Sequence, residues 1–101
     1  MTTYRLTFLR DAKKEWDKLG HSVRSQFECK LKEILKAPRR PAAQLGGMAN
    51  CYKIKLKDAG YRLVYRVFDD RVVVQVVAIG KRERDEVYKV AARRLDSYPK
   101  S

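Results

Sequence analysis

Apolar and polar residues alternate one by one near the start of the chain. Tyr4, Leu6 and Phe8 stand against Arg5 and Thr7, the period of a strand with one buried face. From Leu9 the period lengthens: Leu9, Ala12, Trp16 and Leu19 recur at spacings of three and four, which predicts a helix ended by Gly20. Val23, Phe27, Leu31 and Ile34 form a second helical stripe, with Ser22 as its N-cap and Pro38 and Pro41 as its stop. "APRRPAAQLGGMAN" is a loop rich in breakers, and beyond it the period returns to two. "CYKIKLK", "YRLVYRVF" and "RVVVQVVAI" read as three strands joined by hairpin-length turns. The last is apolar on nearly both sides, as a central strand should be. A final helix is expected from about Glu83 to Leu95.

The order is therefore β-α-α-β-β-β-α, without repeats or linkers. It predicts an α+β fold: a small single domain over residues 1–95, with 96–101 as a fraying tail. Two N-terminal helices pack on one face of a mostly antiparallel four-stranded sheet, and a C-terminal helix completes it. Register then sorts the side chains, because a one-residue slip would turn a strand inside out. Joining Tyr52, Ile54 and Leu56 to Tyr61, Leu63 and Tyr65 in the core forces Lys53, Lys55 and Lys57 onto the side of Arg62 and Arg66. Val72, Val74 and Val76 join the core, and Gln75 joins the basic side. Like charges on neighbouring strands repel, by about 0.2–1 kcal/mol per close pair. The acids nearby, Asp58, Asp69 and Asp70, all sit in turns, so the basic face reads as a surface for an anion. Val64, Phe68, Val73, Val77 and Ile79 line the face away from that core and need a cover, either the last helix or a partner segment.

Charge sharpens this picture. The chain of 101 residues carries 24 Lys+Arg against 12 Asp+Glu, a net +12, which favours nucleic acid or an acidic protein as partner. No apolar run approaches the roughly 20 residues of a membrane span, and the N-terminus lacks a signal-peptide core. Cys29 and Cys51 form no CxxC and His21 is the single histidine, so neither a metal nor a cofactor is expected. His21 falls in the turn between the helices, and Cys29 on the polar side of its helix lacks a partner base.

Lysines, arginines and tyrosines are left to do chemistry. In "AIGKRERDEVYKV" the acids Glu83, Asp85 and Glu86 are explained by the start of a helix, whose dipole favours them. Arg82 and Tyr88 are not. Attack of a ribose 2′-OH on the adjacent phosphate builds charge on the non-bridging oxygens, and fixed cations stabilise it. A tyrosine or lysine crowded by cations loses its proton more readily and could serve as the base. Arginine holds its proton too tightly for an easy acid, so its expected role is charge stabilisation.

The run from "CYKIKL" through "GYRLVY" and "AIGKRER" to "EVY" resembles the RelE toxins of bacterial toxin–antitoxin pairs, and "LRDAKKEWDKLGHSVRSQFECKLKEILKAP" is similar to that family's helical hairpin. The resemblance covers almost the whole chain. It implies a microbial-ribonuclease-like fold and a cytoplasmic, ribosome-dependent endoribonuclease that cuts messenger RNA in the decoding site. It also implies contact with ribosomal RNA, and a RelB-like antitoxin through which alone the pair reaches operator DNA. Family positions fall on Lys53, Lys55, Arg62, Arg82 and Tyr88 as the catalytic set. Arg39, Arg40, Lys57, Arg66, Lys81 and Arg84 are the expected RNA or ribosome contacts. One departure stands out: the family's L-R-G is here Leu45-Gly46-Gly47, which removes a basic contact.

Plainer readings exist for the same residues. Lysines blunt an edge strand against aggregation, and Tyr88 shares a helical stripe with Ala91 and Leu95. A ParE-type toxin acting on gyrase, or a basic module that binds nucleic acid without chemistry, would not require the catalytic set. Convergence of the five side chains would favour the nuclease; a basic strip would favour the binding module.

Overall fold

The opening alternation becomes β1 (Arg5–Phe8) in the computed structural model, which describes residues 3–83 and 86–97. It is followed by α1 (Arg10–Lys18), α2 (His21–Lys36), a short 3-10 turn at Pro41–Ala43, β2 (Cys51–Leu56), β3 (Tyr61–Phe68), β4 (Val73–Lys81) and α3 (Glu86–Ser97). The sheet order is β1-β4-β3-β2; β1 runs parallel to β4 and the other pairs are antiparallel. This is the expected α+β arrangement.

Several boundaries differ from the sequence reading. Gly20 does not cap α1 in a left-handed turn. It is extended at φ −63°, ψ 156° and serves as the residue before α2, while Ser22 lies inside the first turn and accepts a hydrogen bond from Gln26 at 3.4 Å. α3 takes in Asp96 and Ser97, in place of the expected tail, and residues 98–101 lie outside the described residues. Val72 is not a strand residue: it sits in the β3–β4 turn at φ 57°, half-buried, and its carbonyl accepts the Arg5 N–H at 2.9 Å.

The cross-strand pairs place Ile54, Leu63, Tyr65, Val67, Val74 and Val76 on one face. There α1 packs on β4 and β1, and α2 packs on β2. Trp16 fills the space between Phe8 and Phe27, with ring centroids 5.3 and 6.4 Å away. The Tyr65 hydroxyl donates to the Pro38 carbonyl at 2.8 Å and ties the end of α2 to the sheet. Fully buried side chains of this size contribute about 2 kcal/mol each through their removal from water.

Between Val64 and Tyr65 the pairing with β4 shifts register, because Val77 is an extra residue between Ala78 and Val76. Such a bulge inverts the side-chain alternation that follows it. Ile79, expected on the far face with Val77, therefore pairs with Leu63 on the helical-hairpin side, and Ala78 and Gly80 take the far face. That face receives its cover from α3, which crosses β4 and β3 with Val87 and Ala91 buried.

With nine residues against the four of β1, β4 also runs on past the end of that strand, whose pairs stop at Phe8↔Val76. Two side chains satisfy this bare edge. Glu15 of α1 accepts the Ile79 N–H at 3.1 Å, and Arg94 of α3 donates to the Val77 carbonyl at 2.9 Å. The two then close on each other as a bidentate pair at 2.8 and 2.9 Å. With side chains only 16% and 31% exposed, the pair is sheltered enough to join the helices of opposite faces.

Candidate active site

A row of three paired positions crosses one end of the sheet: Lys55 on β2, Arg62 on β3 and Gly80 on β4. Directly paired residues point the same way, so Lys55 and Arg62 share the α3 face. At Gly80 a Cβ would stand 3.6 Å from the Val87 Cβ, so α3 lies in ordinary contact with the backbone there. That approach carries the next residue over β3. The Tyr88 ring covers Arg62, whose guanidinium carbon is 5.4 Å from the ring centroid. A cation stacked in this way gains roughly 0.5–1 kcal/mol and holds both groups in orientation.

Lys53 lies two residues from Lys55 on the same strand, hence on the same face, half-buried opposite Val64. Four of the five expected catalytic residues are thus assembled by register and by the seating of α3. The fifth, Arg82, lies just past β4 and is exposed. Its backbone N–H donates to the Gly60 carbonyl at 2.7 Å, and Gly60 closes the β2–β3 turn at φ 71°, a conformation glycine adopts freely. The junction is pinned at the Lys55–Arg62 end of the sheet, where Leu56 and Tyr61 pair. The expected closure of Arg82 onto Tyr88 is not made: no ring contact or hydrogen bond joins them among the described residues. Arg82 instead extends from the rim into solvent.

A family model described as "ParE toxin of type II toxin-antitoxin system, parDE" matches residues 6–86. The mRNA interferase toxin RelE of Escherichia coli strain K12 is 55% identical over 92 residues, which is 91% of this chain and 97% of that protein. The chain belongs to the RelE family. A mutant of the E. coli toxin RelE in the free state superposes with a TM-score of 0.85 at 53% identity, covering 92% of this chain and 98% of that one. The RelE of the intact E. coli RelBE toxin–antitoxin complex superposes at 0.77 and 56%, covering 80% of this chain and 99% of that one.

Within this RelE-family chain the remaining expected contacts scatter. Lys57 is exposed in the β2–β3 turn beside the row. Lys81 pairs with Tyr61, so its register sets it on the opposite face from Arg62. Arg66 pairs with Cys51 and Gln75, four residues from Arg62 and so about 13 Å along the strand. It stacks on Phe68 at 4.8 Å and lies apart from the row. Arg84 lies outside the described residues.

Arg39 is committed within the protein. It donates to Asp69 at 2.9 Å, to the Tyr52 hydroxyl at 3.2 Å and to Asn50 at 3.1 Å, while Tyr4 donates to the other Asp69 oxygen at 2.7 Å. The Arg39 guanidinium, then the Tyr4 hydroxyl, hold the Asp69 carboxyl below the usual carboxylate range. Asp69 is thus more than a turn acid: it staples the loop after α2 to the β3–β4 turn. Gly46 faces open space, with nothing within 4 Å of where a Cβ would stand, so its loop has room for the family's larger residue.

Arg40 behaves differently from its neighbour. It lines a groove of about 450 Å³ between α2 and β2, together with Lys53 and Lys55. Lys30 of α2 lines it too. Helical periodicity marks Lys30 only as a polar-side residue, and the one hint in the sequence is its place on the helix that leads into Arg39–Arg40.

Proposed function

We propose that this protein is the toxin of a type II toxin–antitoxin pair and an endoribonuclease that cuts messenger RNA in the decoding site of the bacterial ribosome, in the cytoplasm. The observation that carries the reading is the Arg62–Tyr88 stack beside Lys55 and Lys53, in a chain 55% identical to an mRNA interferase. The scissile phosphate lies between these cations. The 2′-oxygen of the upstream nucleotide attacks phosphorus, its proton passing to Tyr88 or to a lysine. The 5′-oxygen of the downstream nucleotide leaves with the electron pair and takes up a proton, so a cyclic phosphate and a free 5′-hydroxyl result. Lys53, Lys55 and Arg62 meet the charge that grows on the non-bridging oxygens, a form of catalysis that needs no proton exchange by arginine. Arg82, extended from the rim, reaches the phosphate as the ribosome presents it.

A RelB-like antitoxin is the expected protein partner, as in the RelBE complex of E. coli, and operator DNA is reached only through that complex. A gyrase-directed toxin is the second reading, raised by the ParE wording of the matched family model. The two separate cleanly. Toxin freed of antitoxin is added to translating ribosomes and, in parallel, to a gyrase supercoiling reaction. New message 5′ ends by primer extension with unimpaired supercoiling are expected. Blocked supercoiling with intact message would overturn the nuclease reading.

A further inference from the structure

We propose that the groove between α2 and the edge of β2 binds backbone phosphates of RNA beyond the scissile one, an assignment that rests on the RNA-cleaving reading above. Its wall is built by cations from three separate elements: Lys30 from α2, Arg40 from the following loop, and Lys53 and Lys55 from β2. The single acid of the lining, Glu33, has its own partner in Lys36 at 3.7 Å. Among the described residues, the side chains of Lys30, Arg40 and Lys53 make no hydrogen bond or ion pair.

Edge protection accounts for lysines on the strand itself, but not for cations facing it from a helix and a loop. Lys53 and Lys55 belong at once to the catalytic row and to the groove, so one continuous path runs from the α3 face around the sheet edge toward α2. Two residues of strand separate them by about 6.6 Å, close to one phosphate step of an extended single strand. An acidic protein segment would also suit the charge. The shared lysines favour RNA, because a strand held there for cleavage must leave past one of them. The floor is aliphatic, with Ile34 and Ile54, so the groove reads phosphate rather than base.

The test compares Lys30→Gln/Arg40→Gln with Lys14→Gln/Lys18→Gln, a control on exposed positions of α1 that removes the same charge. Single-turnover cleavage is followed on programmed ribosomes against toxin concentration. The groove variant should need about tenfold more toxin for half-saturation, with an unchanged plateau rate. Its salt dependence should be shallower by about 1.4, or roughly 0.7 for each single-strand phosphate no longer neutralised. The control should match wild type. A message trimmed just past the cut distinguishes the source of the phosphates: a penalty confined to the longer message assigns them to messenger RNA, and a penalty on both assigns them to ribosomal RNA. Unchanged half-saturation overturns the proposal, as does weakened antitoxin binding with normal cleavage, which would give the groove to protein. Wild-type toxin that cuts nothing would instead sink the RNA-cleaving reading, and this is seen before any variant is compared.

Discussion

Cys51 shows how position, more than residue type, decides reactivity. It is fully buried under the α3 side of β2, and burial pushes its thiol from 9.0 up to about 11, against the pull of Arg66. The thiolate is the reactive form, so Cys51 is inert while Cys29, exposed on α2, is open to reagents. Mass spectrometry after brief alkylation of native protein at pH 8 should find Cys29 modified and Cys51 untouched; equal labelling would refute this. The sign for stability follows. Cys51 and Tyr65, the latter pushed from 10.0 to about 12, favour the fold in their neutral forms. Their contribution is complete below about pH 9 and is lost as pH rises through 11 and 12, so the folded protein should weaken in strong alkali. The inward tyrosines are legible in sequence: the alternation of "CYKIKL" and "YRLVYRVF" turns Tyr52 and Tyr65 toward the core. What alternation cannot supply is the full burial of Cys51, since it marks that position only as sharing the face of Lys53 and Lys55.

At the scale of elements, the catalytic row depends on how α3 is seated, and that depends on the edge of β4. Glu15 and Arg94 satisfy the peptide groups that β1 is too short to reach, and they clamp α1 to α3 in doing so. Removing one partner strands the other beside unpaired backbone. Glu15→Ala should therefore cost about 2–3 kcal/mol, read as a lower denaturant midpoint at constant slope. A shift below a few tenths of a kcal/mol would show the clamp to be ornamental. The strands are legible in the sequence, but this device is not. A β-bulge has no local signature in "RVVVQVVAI", where every candidate for the extra residue is apolar, so parity reads straight through and sets Ile79 on the wrong face. The left-handed Val72 is equally illegible, since a β-branched residue is among the least expected at φ 57°.

For the molecule as a whole, an excess of +12 predicts a polyanionic partner but not where it binds. Register does most of that work. Pairing Tyr52, Ile54 and Leu56 inward is enough to gather Lys53, Lys55 and Arg62, three of the five positions expected to be catalytic. Tyr88 needs the fold, because its approach to Arg62 runs through Val87 and Gly80. The cations are not equivalent: Arg39, in the loop after α2, is spent on Asp69, Arg66 stacks on Phe68, and Lys55 and Arg62 pair at the end of the sheet near Gly60. The decisive measurement is single-turnover cleavage of message on programmed ribosomes by wild type, Tyr88→Phe and Arg82→Ala, with antitoxin affinity measured alongside. Cleavage should fall by roughly 10²–10⁴-fold in each variant while antitoxin binding holds. Wild-type rates from Tyr88→Phe would contradict the assignment of this row as the active site.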